Sequence, residues 1–159
     1  MSCVLITGAT GVVGSEIVPL FLSTNAWKVR LLIRADSSLQ LSGKFAALCG
    51  YWGISPVDER VTGNIEVLPG DVCQPRLGLC KTAYERLNDE VTHIIHCAGN
   101  VKLNQPWNDA CRDALGSVQQ VVQFARACQR RGVLNKIDVL STIGVAGRMS
   151  GLVPERRLS

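Results

Sequence analysis

The sequence predicts an α/β fold, a doubly wound parallel sheet with helices on both faces. Short β-branched apolar runs alternate with helical patterns along the 159 residues, and this alternation is typical of parallel strands connected by helices. A glycine-rich turn follows the first apolar run directly. Right-handed crossovers, with a reversal of direction after the third strand, give the strand order 3-2-1-4-5.

Each element has its own signal in the sequence. We expect strands at 3–8, 28–34, within 64–72, and at 92–99 and 136–142, and helices at 12–22, from Ser37 through 45–50, at 82–87 and at 105–131. The Ser37 to Gln40 spacing resembles a capping box, and Pro19 should bend the first helix. We interpret 50–63 as a surface loop. Apolar residues recur in the last helix and predict one buried face, formed by Trp107, Cys111, Leu115, Val118, Val122, Ala125 and Cys128.

Composition narrows the class of protein. With 47% hydrophobic and 19% charged residues, the chain should form a folded domain. A net charge of +4 without long basic runs predicts no nucleic-acid partner, and no apolar run has the length of a membrane span. The seven cysteines lack a CxxC spacing, so we expect reduced thiols, and the absence of a signal-peptide pattern predicts a cytoplasmic protein.

No metal site is predicted. His93 and His96 belong to one predicted strand and point to opposite faces of it. They therefore cannot chelate a metal together, and we interpret both as structural residues.

The glycine-rich turn, "TGATGVVG", predicts a dinucleotide site. Gly8 permits a tight turn, Gly11 lets the backbone approach a pyrophosphate, and Gly14 allows the helix to pack closely on the strand. Backbone N–H groups at the helix N-terminus then face the phosphates. The alternative is a plain strand, turn and helix without a ligand. Because a strand precedes the motif and a helix follows it, the context favours a Rossmann-type fold.

The end of the second strand indicates which dinucleotide is bound. An acidic residue there holds the ribose hydroxyls of NAD, whereas an arginine accommodates the 2′-phosphate of NADP. This chain has Arg34 at that position, with Asp36 two residues later. Arg34 therefore favours NADP(H) over NAD(H). The alternative is a solvated surface arginine.

The motifs together resemble a known family. "TGATGVVGSEIV", "VRLLIRA", "VLPGDVCQPRLGL", "YERLNDEVTHIIHCAGNV" and "VLSTIGVAGR" are similar to the extended short-chain dehydrogenases/reductases, in the branch of thioester reductases and fatty acyl reductases. The resemblance covers nearly the whole chain. Its more specific part is "GDVCQPRLGL" followed by "HCAGNV", since the glycine motif occurs in many reductases and epimerases.

The resemblance implies a role for each matching residue. Thr10, Gly11, Val12 and Val13 would line the pyrophosphate, Arg34 would bind the 2′-phosphate, Asp71 and Val72 would hold the adenine, and Cys97, Ala98 and Gly99 would lie under the ribose. Thr142 matches the catalytic serine or threonine whose hydroxyl binds the substrate carbonyl. Two of these residues have a plainer interpretation, Asp71 as a turn residue and Thr142 as a strand-end hydroxyl.

Two departures from the family pattern limit the chemistry expected of these residues. Asp113 stands where the family carries an asparagine, and a carboxylate cannot donate as an amide does. The family's acid, a tyrosine in a Tyr-x-x-x-Lys pair, has no match, because Ser55 and Asn88 follow the two tyrosines, Tyr51 and Tyr84, at the lysine position.

The missing pair predicts an incomplete enzyme. We expect residues 1–159 to form one NAD(P)-binding domain, with the substrate-binding part outside it. The tail 148–159 should then pack poorly, and the exposed edge of the fifth strand should permit self-association.

The resemblance therefore implies the cofactor-binding portion of an NADPH-dependent reductase. Its substrate would be an acyl thioester of coenzyme A or a carrier protein, and its product an aldehyde or alcohol. We expect the 159 residues alone to lack catalytic competence. Two alternatives remain, a nucleotide-sugar epimerase or dehydratase of the same superfamily, and a non-catalytic dinucleotide-binding sensor.

Overall fold

A computed structural model describes residues 2–24, 26–100 and 104–141. Its centre is a five-stranded parallel sheet in the order β3-β2-β1-β4-β5, which confirms the predicted fold class and strand order. The strands are β1 (Ser2–Thr7), β2 (Trp27–Ile33), β3 (Ile65–Pro69), β4 (His93–His96) and β5 (Lys136–Val139).

Helices cover both faces of the sheet. They are α1 (Val12–Leu22), α2 (Ser38–Tyr51), α3 (Glu59–Thr62), α4 (Lys81–Glu90), α5 (Trp107–Cys111) and α6 (Ser117–Arg130), with a 3₁₀ turn at Pro75–Gly78 and a π turn at Arg112–Gly116. On one face, Val4 and Ile6 of β1 belong to a cluster with Val18 and Leu48 of α1 and α2. On the other face, Leu5 belongs to a cluster that includes residues of α4 and α6. Alternating side chains of one buried strand thus build two cores.

Strand register determines where a ligand can lie. Thr7, the last residue of β1, is paired with Leu32 of β2 and with His96 of β4. The loops that follow these strands therefore meet at the carboxyl ends of the strands, beside the first turn of α1. In open parallel sheets this end is the usual ligand site.

The stretch 50–63, predicted as a loop, is partly helical, so that prediction is wrong. Helix α2 continues to Tyr51, and α3 follows at Glu59–Thr62. The Asp58 side chain caps α3 by accepting a 2.8 Å hydrogen bond from the Arg60 N–H, and this capping signal was overlooked. The start of α2 is as predicted, with Ser37 Oγ accepting from the Gln40 N–H at 3.2 Å.

The helix predicted at 105–131 is present. Of its predicted buried face, Ala125 and Cys128 are buried, but the first half of the face differs. It begins at Trp107, and Gly132 with φ +75° follows its end. Trp107 and Leu115 are 79% and 62% exposed, whereas Phe124 is fully buried. The π turn holds an extra residue in one turn, so the apolar pattern of the first half does not continue along the buried side of α6.

Strand β5 lies at the edge of the sheet, and all four of its residues are exposed. Val139 and Leu140, at its end, are 45% and 54% exposed. Self-association through this edge stays a prediction. The tail 148–159 and Thr142 lie outside the described residues.

Pro19 leaves one carbonyl of α1 without its backbone donor, and a side chain distant in sequence donates to that carbonyl instead. A residue with an N–H at position 19 would donate to the Ser15 carbonyl, which proline cannot do. The indole Nε1–H of Trp52, just after α2, donates to that carbonyl at 2.8 Å. Ser15 is 8% exposed, so water access to this oxygen is small. The Trp52 hydrogen bond therefore links the end of α2 to the carbonyl of α1 that Pro19 leaves without a backbone donor.

We expect Trp52→Phe to destabilise the fold by about 1 to 3 kcal/mol, because it leaves the buried Ser15 carbonyl without a donor. Denaturant unfolding measures this free energy. Pro19→Ala restores the backbone N–H, so Trp52→Phe should cost much less in that background. An equal cost of Trp52→Phe in both backgrounds would contradict this role of the indole.

Candidate functional site

A cleft of about 460 Å³ lies where the carboxyl ends of the strands meet, a volume in the range of small-ligand sites. It brings together residues from the ends of β1 to β4 and from the helix after β4. We call this surface the cleft. It is lined by Gly8, Thr10, Gly11, Leu32, Ile33, Arg34, Gly70, Asp71, Val72, Cys73, Cys97, Ala98, Gly99, Asn100, Asp113 and Ser117.

The first and third glycines of the motif are required by close backbone contacts. Gly8 has φ +74°, and a Cβ there would lie 2.5 Å from the Ala98 nitrogen and 2.6 Å from the Cys97 carbonyl carbon. A Cβ at Gly14 would overlap the Gly8 carbonyl oxygen. The Gly11 N–H donates to that same oxygen at 2.9 Å. A side chain at Gly8 would thus push apart the two loops that form the cleft.

The first turn of α1 offers backbone donors beside the cleft. Its N-cap is Gly11, which has no side chain that could cap the first N–H groups. A helix terminus of this kind attracts anions. The side chains of Val12 and Val13 are 88% and 41% exposed. Val12, Val13 and Gly14 start the helix and are not among the residues that line the cleft. Their predicted contribution to pyrophosphate binding stays a prediction.

A buried hydrogen-bond pair connects the ends of β1 and β4. Thr7 Oγ1 lies 2.7 Å from His96 Nδ1, and the Ala98 N–H donates to Thr7 Oγ1 at 3.4 Å. Burial lowers the pKa of His96, which favours a neutral ring whose Nδ1 accepts from the Thr7 hydroxyl. His93, by contrast, packs on the α1 side against Trp27, with ring centroids 4.8 Å apart. The two histidines thus lie on opposite faces, as predicted, and His96 holds the loop beneath the cleft.

A strained turn presents Asp71 to the cleft. Its Oδ1 accepts from the Cys73 N–H at 2.9 Å, and its own N–H donates to the Leu77 carbonyl at 2.8 Å. Arg76 and Leu77 adopt left-handed φ values of 55° and 59°, which side-chain-bearing residues rarely adopt. Leu77 is fully buried, and its burial holds the turn. Asp71 is therefore a turn residue, and its contact with adenine stays a prediction.

Two cations lie at the end of β2. Arg34 is exposed and lines the cleft. The Lys44 Nζ, from α2, donates to the Arg34 carbonyl at 2.6 Å. Sequence reasoning missed Lys44, because only the return of α2 beside the end of β2 brings the two residues together.

Other residues of the cleft were missed as well. Ser117 enters it from the helix after β4, beside Asp113, which the resemblance had placed at the family's asparagine position; the predicted apolar face of that helix did not include Ser117. Cys73 lies beside the predicted Asp71 and Val72, and burial raises the pKa of the Cys73 and Cys97 thiols. These thiols are therefore poor nucleophiles at neutral pH.

Neither tyrosine of the chain reaches the cleft. The Tyr51 hydroxyl donates to the Glu16 carboxylate, and Tyr51 lines a separate pocket between α1 and α2. Tyr84 packs between α4 and α6 against Phe124, with ring centroids 5.3 Å apart.

The described part of the chain holds neither a cluster of metal ligands nor a membrane-spanning helix. Within residues 2–24, 26–100 and 104–141, no group of three or more histidine, cysteine or acidic side chains is arranged to hold a metal ion. No helix in these ranges has the length and apolar character needed to cross a membrane.

The cleft and its glycine loop agree with a family of NAD-binding domains. The model of the male sterility protein family matches residues 6–158. The chain belongs to this family. This confirms the resemblance to the thioester reductase branch of the extended short-chain dehydrogenases/reductases.

The male sterility family match is supported by individual relatives. The chain is 27% identical to the non-reducing polyketide synthase pgmA of Aspergillus terreus over 169 residues, covering 98% of this chain and 7% of that synthase. The terminal R domain of a myxalamid PKS-NRPS pathway has a TM-score of 0.79 and 20% identity, with all of this chain and 40% of that chain covered. A thiolation-reductase di-domain of an archaeal non-ribosomal peptide synthetase has a TM-score of 0.72 and 22% identity, covering 92% of this chain and 29% of that chain. The chain thus spans only a small part of its curated relatives.

The sheet is also similar to that of a sugar-nucleotide enzyme. A UDP-glucuronic acid 4-epimerase variant from Bacillus cereus has a TM-score of 0.66 and 21% identity, with 98% of this chain and 45% of that chain covered. At this identity the likeness concerns the fold alone.

Proposed function

We propose that this chain is the NADP(H)-binding part of a reductase that converts an acyl thioester to an aldehyde, or further to an alcohol. The carrying observation is the cleft itself. Within a chain of the male sterility family, it joins the glycine loop, through Gly8 and the α1 N-cap Gly11, to a cationic end of β2 at Arg34.

The cationic end of β2 supports NADP(H) over NAD(H). Arg34 lines the cleft at the end of β2, and the Lys44 ammonium donates to its carbonyl oxygen at 2.6 Å. Two cations favour a phosphate dianion over a neutral hydroxyl. An acidic residue that would hold two ribose hydroxyls is not found at position 34.

We propose that the other half of the cleft takes the nicotinamide. The loop after β4, with Cys97, Ala98 and Gly99, lies across the glycine loop from Arg34, as the doubly wound topology requires. This loop would hold a reduced nicotinamide, which would supply a hydride to the thioester carbonyl; loss of the sulfur as a thiolate, protonated by an acid, would then leave the aldehyde. We propose Thr142 as the hydroxyl that binds this carbonyl.

The acid for such a reduction would come from outside the 159 residues. Tyr51 is hydrogen-bonded to Glu16, and Tyr84 is packed on Phe124, so both are held away from the cleft. We therefore propose that these residues bind dinucleotide without turning over a thioester. The same observation favours a second candidate, a non-catalytic dinucleotide-binding module.

A reductase assay tests the proposal. A protein that contains this chain and continues to a Tyr-x-x-x-Lys pair is incubated with NADPH and an acyl thioester, on coenzyme A or on carrier-protein phosphopantetheine. We expect NADPH oxidation that depends on the thioester, with release of aldehyde or alcohol. The chain of 159 residues should bind NADPH without oxidising it. Binding without thioester reduction in the longer protein would favour the non-catalytic module, and thioester reduction by the 159 residues alone would contradict the proposed division.

A further inference from the structure

A carboxylate lies on the wall of the cleft, in the π turn that joins α5 to α6. The side chain of Asp113 is 18% exposed and lines the cleft beside Ser117. Ser117, Val121, Phe124 and Cys128 form the buried side of α6, and Asp113 extends that side by about one turn. The buried side of this helix therefore ends in an ionisable group at the ligand site.

Two side-chain amides converge on this carboxylate. Asp113 Oδ2 accepts from Asn100 Nδ2 at 2.8 Å and from Gln105 Nε2 at 3.0 Å. The other oxygen, Oδ1, lies 3.4 Å from the Arg112 guanidinium. The amide of Asn100, followed by that of Gln105 and the Arg112 charge, holds the pKa of Asp113 below its ordinary value. Asp113 is therefore an acceptor at neutral pH and has no proton to donate.

The two amides belong to residues on either side of the connection between β4 and α5. Asn100 itself lines the cleft, and Gln105 lies shortly before α5. Holding both side chains on one oxygen fixes the cleft wall at this point. In the strand order, β4 is on the opposite side of β1 from β2 and Arg34. This wall therefore borders the half of a dinucleotide that is remote from the 2′-phosphate.

The π turn explains why the carboxylate can serve in this way. A π turn widens the helix locally, and such turns occur often at functional sites. Arg112 and Asp113 both lie in it, so the acceptor and its neighbouring cation are presented together. An asparagine at position 113 would keep one acceptor oxygen but place an amide group where the other oxygen faces Arg112.

We propose that Asp113 is a positioning residue, which holds Asn100 and Gln105 at the cleft wall and thereby shapes the site for the nicotinamide half of the dinucleotide. This inference rests on the proposed function. Asp113 acts through its two amide partners and contributes no proton to the reaction.

The test compares two ligands in Asp113→Ala, Asp113→Asn and the wild-type protein. NADPH requires both halves of the cleft, whereas adenosine 2′,5′-bisphosphate requires only the adenosine half. We expect Asp113→Ala to raise the Kd of NADPH by about fivefold or more, and that of the bisphosphate by less than about twofold, since two charge-assisted hydrogen bonds are lost from one half only. The Kd of NADPH for Asp113→Asn should lie between the values for the wild type and for Asp113→Ala. Amide hydrogen exchange at Gln105 should be faster in Asp113→Ala.

Two further variants separate positioning from general stability. Asp109→Ala removes a carboxylate that also pairs with Arg112, at 3.0 Å, and it should leave both Kd values and the exchange at Gln105 unchanged. Gln105→Leu removes one amide donor while keeping the charge of Asp113. It should raise the Kd of NADPH more than that of the bisphosphate.

The outcomes distinguish this inference from the proposed function. The positioning role would be overturned if Asp113→Ala raised the Kd values of both ligands equally, or if it left the Kd of NADPH unchanged. If the wild-type protein bound neither ligand, the proposed function would fail. The exchange rates at Gln105 would then decide whether Asp113 holds Gln105 in place, and unchanged rates in Asp113→Ala would overturn that role.

Discussion

Gly8→Ala should abolish detectable dinucleotide binding and destabilise the fold by at least about 2 kcal/mol. The new Cβ would lie 2.5 Å from the Ala98 nitrogen and 2.6 Å from the Cys97 carbonyl carbon, where both neighbours are backbone. Relief of this overlap requires the loops after β1 and β4 to separate, and these loops form the cleft. Denaturant unfolding measures the loss of stability, and calorimetric titration with NADPH measures the loss of binding.

Gly132→Ala is the matched control for Gly8→Ala. Gly132 has nearly the same backbone angle, φ +75°, but a Cβ there would meet no atom within 4 Å. Gly132→Ala should lower the free energy of unfolding only by the strain of a left-handed alanine, about 1 to 2 kcal/mol, and leave the affinity for NADPH unchanged. If the two variants lost equal stability and both bound NADPH normally, the close contact at Gly8 would not matter for the site.

Arg34→Ala should erase the preference for NADPH over NADH. A charge-assisted hydrogen bond to the 2′-phosphate is worth roughly 1.5 to 3 kcal/mol, which corresponds to about a tenfold to hundredfold loss of NADPH affinity. The affinity for NADH should change little, because NADH has a hydroxyl at this position. The Kd values of both dinucleotides, measured for both proteins at one ionic strength, give the comparison.

The effect of Arg34→Ala has two controls. Arg60→Ala removes another exposed arginine, which pairs with Asp58 at 2.8 Å and lies outside the cleft lining, so it should not alter the preference. Lys44→Met should reduce the preference partially, since Lys44 contacts the Arg34 backbone. A wild-type preference for NADPH that persisted in Arg34→Ala would assign 2′-phosphate recognition to other residues.

The central part of the fold could be predicted from local sequence, because its signals are local. Buried strands ending at glycine, as at Gly8, and a serine cap, as at Ser37, give both the element and its boundary. The strand order also followed, since crossover handedness leaves few alternatives. The short helix after Asp58 was missed because four helical residues carry almost no periodic signal.

The less predictable features of the site depend on tertiary contacts. Lys44 reaches Arg34 only because α2 returns beside the end of β2. Asp113 reaches Asn100 and Gln105 only because of a π turn, which apolar periodicity does not reveal. The Trp52 indole replaces a donor missing at Pro19, and no sequence pattern indicates which side chain will do so.

The most direct test of the central claim, that the cleft binds a dinucleotide, uses the cysteines of the protein. Cys73 and Cys97 are partly buried and line the cleft, whereas Cys80 is exposed and not among the residues that line it. Alkylation rates at these thiols are measured by mass spectrometry at mildly alkaline pH, with and without saturating NADPH. We expect slower alkylation of Cys73 and Cys97 with NADPH present, and an unchanged rate at Cys80. Unchanged rates at all three thiols would contradict dinucleotide binding in the cleft.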